Sequence, residues 1–233
     1  MSVAGPSGQS TSERYLAVQQ RIQEACQKSS RTPEDVHLLA VSKTFPIEPV
    51  RELFATGQLD FGENYVQEAE EKVPMLPEAR WHLIGPLQSN KAAKAVQLFP
   101  VIHSLDRLSL AERLDRLAGE AGRVVEAFVQ VRLGEEDSKS GLDPAELLTE
   151  MERWNSLRQW SGLRLIGLMT LPPPQNSRPF FVQLRELRDQ LRALSLPIFQ
   201  DYQLYMGMSE DFEAAIDEGS NWIRIGRALF GSR

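Results

Sequence analysis

Three features of this sequence place reactive groups where they could work together. Lys43 stands just past the apolar run of "HLLAVSKTFP", with Pro46 ending the extended segment and restricting Phe45 before it. Taken alone, such a lysine is an ordinary strand terminus with its ammonium in water. Arg224 lies inside the apolar segment "WIRIG", where a guanidinium without a partner is costly. The segments "YMGMS" and "RIGR" bring Gly207 and Gly226 to strand ends beside helix starts, where backbone N–H groups bind phosphate. Together these residues point to a Schiff base between a lysine and a phosphorylated carbonyl compound.

The elements that must position them follow from periodicity. Helices are predicted at 12–29, 48–56, 64–72, 89–98, 106–120, 144–160, 178–194 and 209–218. Strands are predicted at 36–42, 58–61, 80–85, 101–104, 124–133, 163–169, 202–207 and 222–226, and "RALFG" begins a last helical turn. Asp143 and Pro144 are expected to open the sixth helix, and Ser209 to cap the eighth. Eight strands alternating with helices, behind one extra N-terminal helix, predict an α/β fold: a single closed (β/α)8 TIM barrel. The rival, a doubly wound open sheet, would bring a glycine-rich loop after the first strand, and "VSKTFP" has no glycine. Residues 1–10 read as a frayed tail and 11–233 as one barrel domain.

A barrel uses the C-terminal ends of its strands. Those ends carry Lys43, Asn64, His82 with Gly85, His103 with Ser104, Lys139, Met169 with Thr170, Gly207 and Gly226. Spacing leaves open whether the carbonyl belongs to a sugar phosphate or to pyridoxal 5′-phosphate. An arginine facing a pyridine nitrogen would keep that nitrogen unprotonated and so weaken the cofactor as an electron sink. Several of these residues have a plainer reading. His82 serves equally as a core histidine, Asn64 as a helix start, Met169 as core, Lys139 as a solvated loop residue and Ser209 as a cap.

The bulk composition excludes other classes. A net charge of −6 with no basic cluster argues against nucleic-acid or anionic-membrane binding. The apolar runs are too short to span a bilayer, and the N-terminus has no signal-peptide pattern. The single cysteine, Cys26, lies on the apolar stripe of a predicted helix and fits a reducing cytoplasm. His37, His82 and His103 lie far apart in the sequence with no metal-ligand spacing.

The motifs "LLAVSKTFP", "FGENYVQE", "WHLIGPLQSNK", "HSLD", "SKSGL", "GLMTL", "YMGMSEDFEAAIDEGS" and "RIGRALFG" resemble, in order and from about residue 36 onward, the pyridoxal-phosphate homeostasis protein family. The resemblance implies a barrel like the N-terminal domain of alanine racemase, the fold type III architecture. It implies pyridoxal phosphate held by Lys43 as an internal aldimine, Arg224 facing the pyridine nitrogen, and a phosphate cradle from Gly207, Met208 and Ser209 with Gly226 and Arg227. Asn64, His82 and Met169 complete the expected contacts. The implied function is vitamin B6 homeostasis, and through it amino-acid and keto-acid balance, without established catalysis. The protein is expected to be a cytoplasmic monomer with PLP-dependent apo-enzymes as recipients. Two positions depart from the family pattern: Tyr205 stands where a serine is expected, and Arg227 where a small hydroxyl residue is expected. The alternatives are an amino-acid racemase of the alanine-racemase class and a lysine-dependent sugar-phosphate aldolase. Against the racemase, the chain ends at Arg233 without the second domain that supplies an opposite-face base.

Overall fold

The computed structural model describes residues 10–134, 140–157, 159–173 and 175–231. Eight parallel strands close into a barrel in chain order: β1 (His37–Val41), β2 (Asp60–Glu63), β3 (Arg80–Leu83), β4 (Val101–Leu105), β5 (Val125–Gln130), β6 (Leu163–Met169), β7 (Phe199–Tyr205) and β8 (Trp222–Ile225). Helix α1 (Thr11–Lys28) precedes them. Between and after the strands come α2 (Ile47–Ala55), α3 (Val66–Lys72), α4 (Ala92–Leu98), α5 (Leu108–Glu120), α6 (Leu147–Leu157), α7 (Arg178–Leu194), α8 (Phe212–Asp217) and α9 (Arg227–Phe230). The predicted (β/α)8 barrel with its extra N-terminal helix is the observed fold.

Side-chain alternation divides the core in two. On β1, Leu38 and Ala40 face the helices, and Leu39 and Val41 face the barrel interior. On β8, Ile223 and Ile225 face outward and Trp222 inward, so Arg224 also points inward. Closure pairs β1 with β8 from His37↔Trp222 to Ala40↔Ile225. The β7–β8 seam is thinner, with Tyr205↔Trp222 as its paired position. Side chains repair it: Asn221 Oδ1 accepts the Leu204 N–H, and buried Ser220 Oγ lies 2.8 Å from the carbonyls of both Met206 and Trp222, with one proton to donate between them.

Helix α1 begins with a capping box between Ser10 and Glu13 and buries Val18, Ile22, Ala25 and Cys26. It packs on α8 and α9, where Arg14 Nε donates to the Leu229 carbonyl at 2.7 Å and the Arg21 guanidinium lies over the Phe212 ring. Cys26 is therefore a packing residue, and burial pushes its thiol pKa up.

Several element ends differ from expectation, three of them at turns beside the barrel mouth. Helix α6 starts at Leu147, because Asp143 Oδ1 accepts the Ala145 N–H in a separate turn before it. Helix α8 starts at Phe212, and Ser209 does not cap it. Asp211 instead takes the Met208 N–H on its carboxylate at 2.7 Å, which tightens the turn after β7. Strand β5 stops at Gln130 and leaves Val131 as an isolated bridge to Leu142.

Candidate functional site

Lys43 occupies a turn one residue beyond the last hydrogen bond of the β1 ladder, where the Ser42 N–H donates to the Gly62 carbonyl at 3.1 Å. Alternation from Leu39 and Val41 puts Ser42 on the outer face and Lys43 on the barrel-mouth side. Ser42 confirms the parity, since its Oγ donates at 2.6 Å to Glu63, on the outer face of β2. The turn then reverses sharply: Thr44 has φ 66°, a left-handed conformation that a β-branched residue seldom adopts. Phe45 closes it by donating its N–H to the Ser42 carbonyl and stacking on Phe230 of α9.

Arg224 lies at the same mouth. Its guanidinium carbon is 5.7 Å from the centroid of the Tyr205 ring, and its Nη2 meets the Met208 Sδ at 3.6 Å. No carboxylate among the described residues forms an ion pair with it. Burial lowers its pKa, opposed by Tyr205 and, more weakly, by Asp211. Tyr205 is fully buried, and its Oη has no hydrogen-bond partner at proper distance among the described residues. Burial pushes that phenol up to about 12, against the lowering pull of Arg224. The large residue at 205 thus fills the interior directly beneath the guanidinium.

Two glycines shape the ends of β7 and β8. Gly207 has φ 98°, and a Cβ there would lie 2.6 Å from the Ala215 Cβ, so no side chain fits. Its carbonyl accepts the Arg224 N–H at 3.1 Å, which ties the two strand ends together. Gly226 precedes α9, and its carbonyl accepts N–H groups from Leu229 and Phe230. Ser209 lies in the turn between Met208 and Asp211. The Arg227 side chain is well exposed and reaches Glu210 at 3.2 Å, bridging the two segments. That pair offsets the acidic charge of Glu210 beside the turn after β7, although an exposed ion pair contributes little stability.

Asn64 follows β2, half-buried, and backs onto Gly85, where an added Cβ would fall 2.1 Å from the Asn64 carbonyl oxygen. Ser104 Oγ donates to the Gly85 carbonyl at 2.7 Å and fixes that close approach. Asn64 does not cap α3, whose preceding residue is Tyr65.

His82 and Met169 lie deeper. Both are fully buried, with Met169 packed in the apolar cluster inside the barrel. Both His82 nitrogens are engaged: Nε2 with Asp60 Oδ1 and Nδ1 with His103 Nε2, each at 2.8 Å. Burial lowers the His82 pKa and drives that of His103 well below the usual range, helped by His82 and Arg224. The pair is neutral, and three of its four ring nitrogens are engaged within the core. The two histidines, distant in sequence, meet because β3 and β4 are neighbours and both side chains face inward. Lys139 lies outside the described residues.

Sequence reasoning missed a second polar cluster, on the outer face behind Lys43. Lys72 Nζ donates to the Ser42 carbonyl and Glu63 Oε1 at 2.8 Å each, and to Glu68 Oε1 at 2.6 Å. Lys72 and Glu63 are buried. Burial pushes the Glu63 carboxyl up, to about 7, against the pull of its bonds from Lys72 and Ser42. The available signal was "GENYVQEAEEK", whose Glu68 and Lys72 are four apart on one helical face.

The comparisons with known proteins agree with this fold. The family model described as alanine racemase, N-terminal domain, matches residues 15–233. The pyridoxal phosphate homeostasis protein of Pseudomonas aeruginosa is 44% identical over 227 residues, covering 95% of each chain. The chain belongs to the pyridoxal phosphate homeostasis protein family. PipY of Synechococcus elongatus, solved with PLP bound, is 42% identical with a TM-score of 0.78 over 90% of this chain and 100% of that one. Alanine racemase of Clostridium difficile, 16% identical, matches with a TM-score of 0.72 over 94% of this chain and 56% of that one, which shows the shared fold.

Proposed function

We propose that this protein binds pyridoxal 5′-phosphate at the barrel mouth and serves in vitamin B6 homeostasis, holding the cofactor rather than turning over a substrate with it. The observation that carries the reading is Arg224: a cation aimed into the mouth, backed by an aromatic ring and a thioether, and lacking a carboxylate partner among the described residues. Such a group calls for an acceptor from a ligand. The heteroaromatic nitrogen of PLP is an acceptor of that kind, and the chain's relative PipY was solved with PLP bound.

In this reading Lys43 supplies the covalent attachment, its Nζ condensing with the aldehyde and releasing water. The side chain approaches from β1 while Arg224 approaches from β8, the strands that close the barrel. The phosphate would rest on the backbone of Gly207 and Ser209 and of Gly226 and Arg227. Gly207 lets α8 pack closely behind that segment, and Arg227 screens Glu210 from the anion. The Met208 N–H is already taken by Asp211, so it does not serve the phosphate and Met208 contributes through its sulfur. Asn64 would border the cofactor, and His82 and Met169 would lie beneath it.

When bound, PLP stabilises carbanions by drawing electrons toward its ring nitrogen. Arg224, a donor that does not give up its proton, would keep that nitrogen an acceptor and so favour storage over carbanion chemistry. The protein would act as a cytoplasmic monomer, delivering the cofactor to PLP-dependent apo-enzymes and thereby influencing amino-acid and keto-acid balance.

The test is the visible spectrum of the purified protein incubated with PLP, followed by borohydride reduction and peptide mapping. A yellow protein whose reduced adduct maps to Lys43 is expected, with the colour lost in Lys43→Ala. An adduct on Lys91 or Lys139 would overturn the attachment, and sustained racemisation of an amino acid dependent on Lys43 would overturn the non-catalytic reading.

A further inference from the structure

Behind Lys43, on the face of the sheet away from the mouth, the buried cluster of Lys72, Glu63 and Glu68 touches the backbone on both sides of that residue. All three protons of the Lys72 ammonium have acceptors: the Ser42 carbonyl, Glu63 Oε1 and Glu68 Oε1. Glu63 Oε1 also accepts from Ser42 Oγ, and Glu68 Oε1 also accepts the Thr44 N–H. Ser42 is thus gripped by its carbonyl and its hydroxyl, and Thr44 by its amide. Lys43 itself lies between the two gripped residues.

We infer that Lys72, with Glu63 and Glu68, is a positioning device for Lys43, locking the strained turn that presents the lysine to the barrel mouth. The inference rests on the reading of Lys43 as the attachment point.

Two observations favour positioning over a merely structural role. The turn needs restraint, because Thr44 holds φ 66° and a β-branched residue in that region relaxes unless its surroundings over-determine it. The cluster is also an expensive way to dock a helix. Lys72 and Glu63 are buried, and Glu63 Oε2 has no partner among the described residues. Apolar residues of similar volume commonly stabilise such a contact as well or better. Charge is retained here at the one place where three acceptors must be held in fixed geometry around two residues of the turn. A displacement of the lysine by about 1 Å is enough to cost a reaction up to about a hundredfold.

The experiment measures how fast apo-protein forms the borohydride-trapped PLP adduct at Lys43, at 20 °C, with folding checked by circular dichroism. Two variants disarm the clamp. Lys72→Met with Glu63→Gln removes the cation without stranding a buried carboxylate, and Glu68→Ala releases the Thr44 amide. Both are expected to remain folded yet form the adduct about tenfold or more slowly. Glu68→Gln, which keeps an acceptor for Thr44, should recover to within about threefold of wild type. A purely structural cluster would lower melting temperature and leave the adduct rate of folded protein unchanged. Rates within about twofold of wild type in the folded variants would therefore overturn the inference. If the double variant does not fold, Glu68→Ala decides alone, its side chain being partly exposed at 19%. Wild type that gives no adduct at Lys43 would mark failure of the underlying reading instead.

Discussion

The strands at the start of the barrel carry buried polar residues on both faces, and the two sides handle polarity in opposite ways. Inside, Asp60, His82 and His103 form a chain whose histidines are held neutral, because burial lowers both pKa values. With the carboxylate taking the His82 Nε2 proton, the His82 Nδ1 lone pair receives the proton on His103 Nε2. His103 Nδ1 remains a bare acceptor, without a partner among the described residues. Outside, the Lys72 ammonium sits among the Ser42 carbonyl, Glu63 and Glu68, with every ammonium proton bonded. A buried interior tolerates an unprotonated imidazole far better than an unpaired ion. Beneath α3, an ion is tolerated because one main-chain carbonyl and two carboxylates converge on it. Charge therefore persists where it fixes backbone, and neutrality prevails where side chains only fill the barrel.

The largest effect should come from breaking the charged side. Lys72→Ala leaves Glu63 buried without its cation and should cost about 3–5 kcal/mol, read as a lowered urea midpoint. A loss below about 1 kcal/mol would mean that the cluster behaves like a surface ion pair. The next effect is the pH response of the same cluster. Glu63 lies fully buried with its carboxyl raised from 4.5 to about 7, so the folded state binds a proton that the unfolded chain has released between those values. Stability from this group is therefore fully present below pH 4.5 and falls as pH rises to about 7. The difference is on the order of 3 kcal/mol. Glu63 faces Lys72 and Glu68 of α3 and the Ser42 hydroxyl after β1, and Glu63→Gln should remove the response. Urea midpoints at pH 5 and pH 8 for both proteins test it, and a wild-type advantage that grows toward pH 8 would reverse the sign.

Much of the barrel was legible in the sequence because each strand carries its own pattern. "HLLAV", "LRLIGLM" and "WIRI" are apolar on both faces, as parallel strands between a core and a layer of helices must be. Arg224 was legible because a charge inside such a run has few places to go. The turns were less so. Ser209 looked like a cap by residue type, yet Asp211, two residues on, has the carboxylate that reaches the Met208 amide. The histidine pair and the Lys72 cluster depend on which strands become neighbours and which face each residue takes. His82 and His103 are 21 residues apart, and Ser42 and Lys72 are 30 apart. No local spacing rule joins them, although consecutive strands of one parity would have placed both histidines inside.

On the neutral side, Arg224 is the exception, a cation projecting into the barrel, and its removal should have a smaller effect. Arg224→Gln should shrink the stabilisation that PLP confers by about 1.5–3 kcal/mol, the range for hydrogen bonds to charged groups. The apo-protein should be unchanged or slightly more stable, since a half-buried cation without a carboxylate partner has been removed. Melting temperatures of both proteins with and without PLP give the comparison. Equal gains on binding would show that Arg224 does not meet the cofactor.

The smallest effect is expected at Tyr205, and it tests the neutral side most directly. Its ring packs against His103 and Phe128 and lies beneath the Arg224 guanidinium, contacts that a phenylalanine preserves. Its hydroxyl is buried with no partner at hydrogen-bond distance among the described residues, and burial holds it protonated with a pKa of about 12. Deleting an unsatisfied buried hydroxyl removes a desolvation cost and breaks no bond. Tyr205→Phe should therefore leave stability unchanged or raise it by up to about 1 kcal/mol, with the near-ultraviolet circular dichroism retained. A loss of more than about 1 kcal/mol would show that the hydroxyl is bonded in solution, through Arg224 or an ordered water. The interior would then share the bonded character of the cluster behind Lys43, and the contrast between the two faces would weaken.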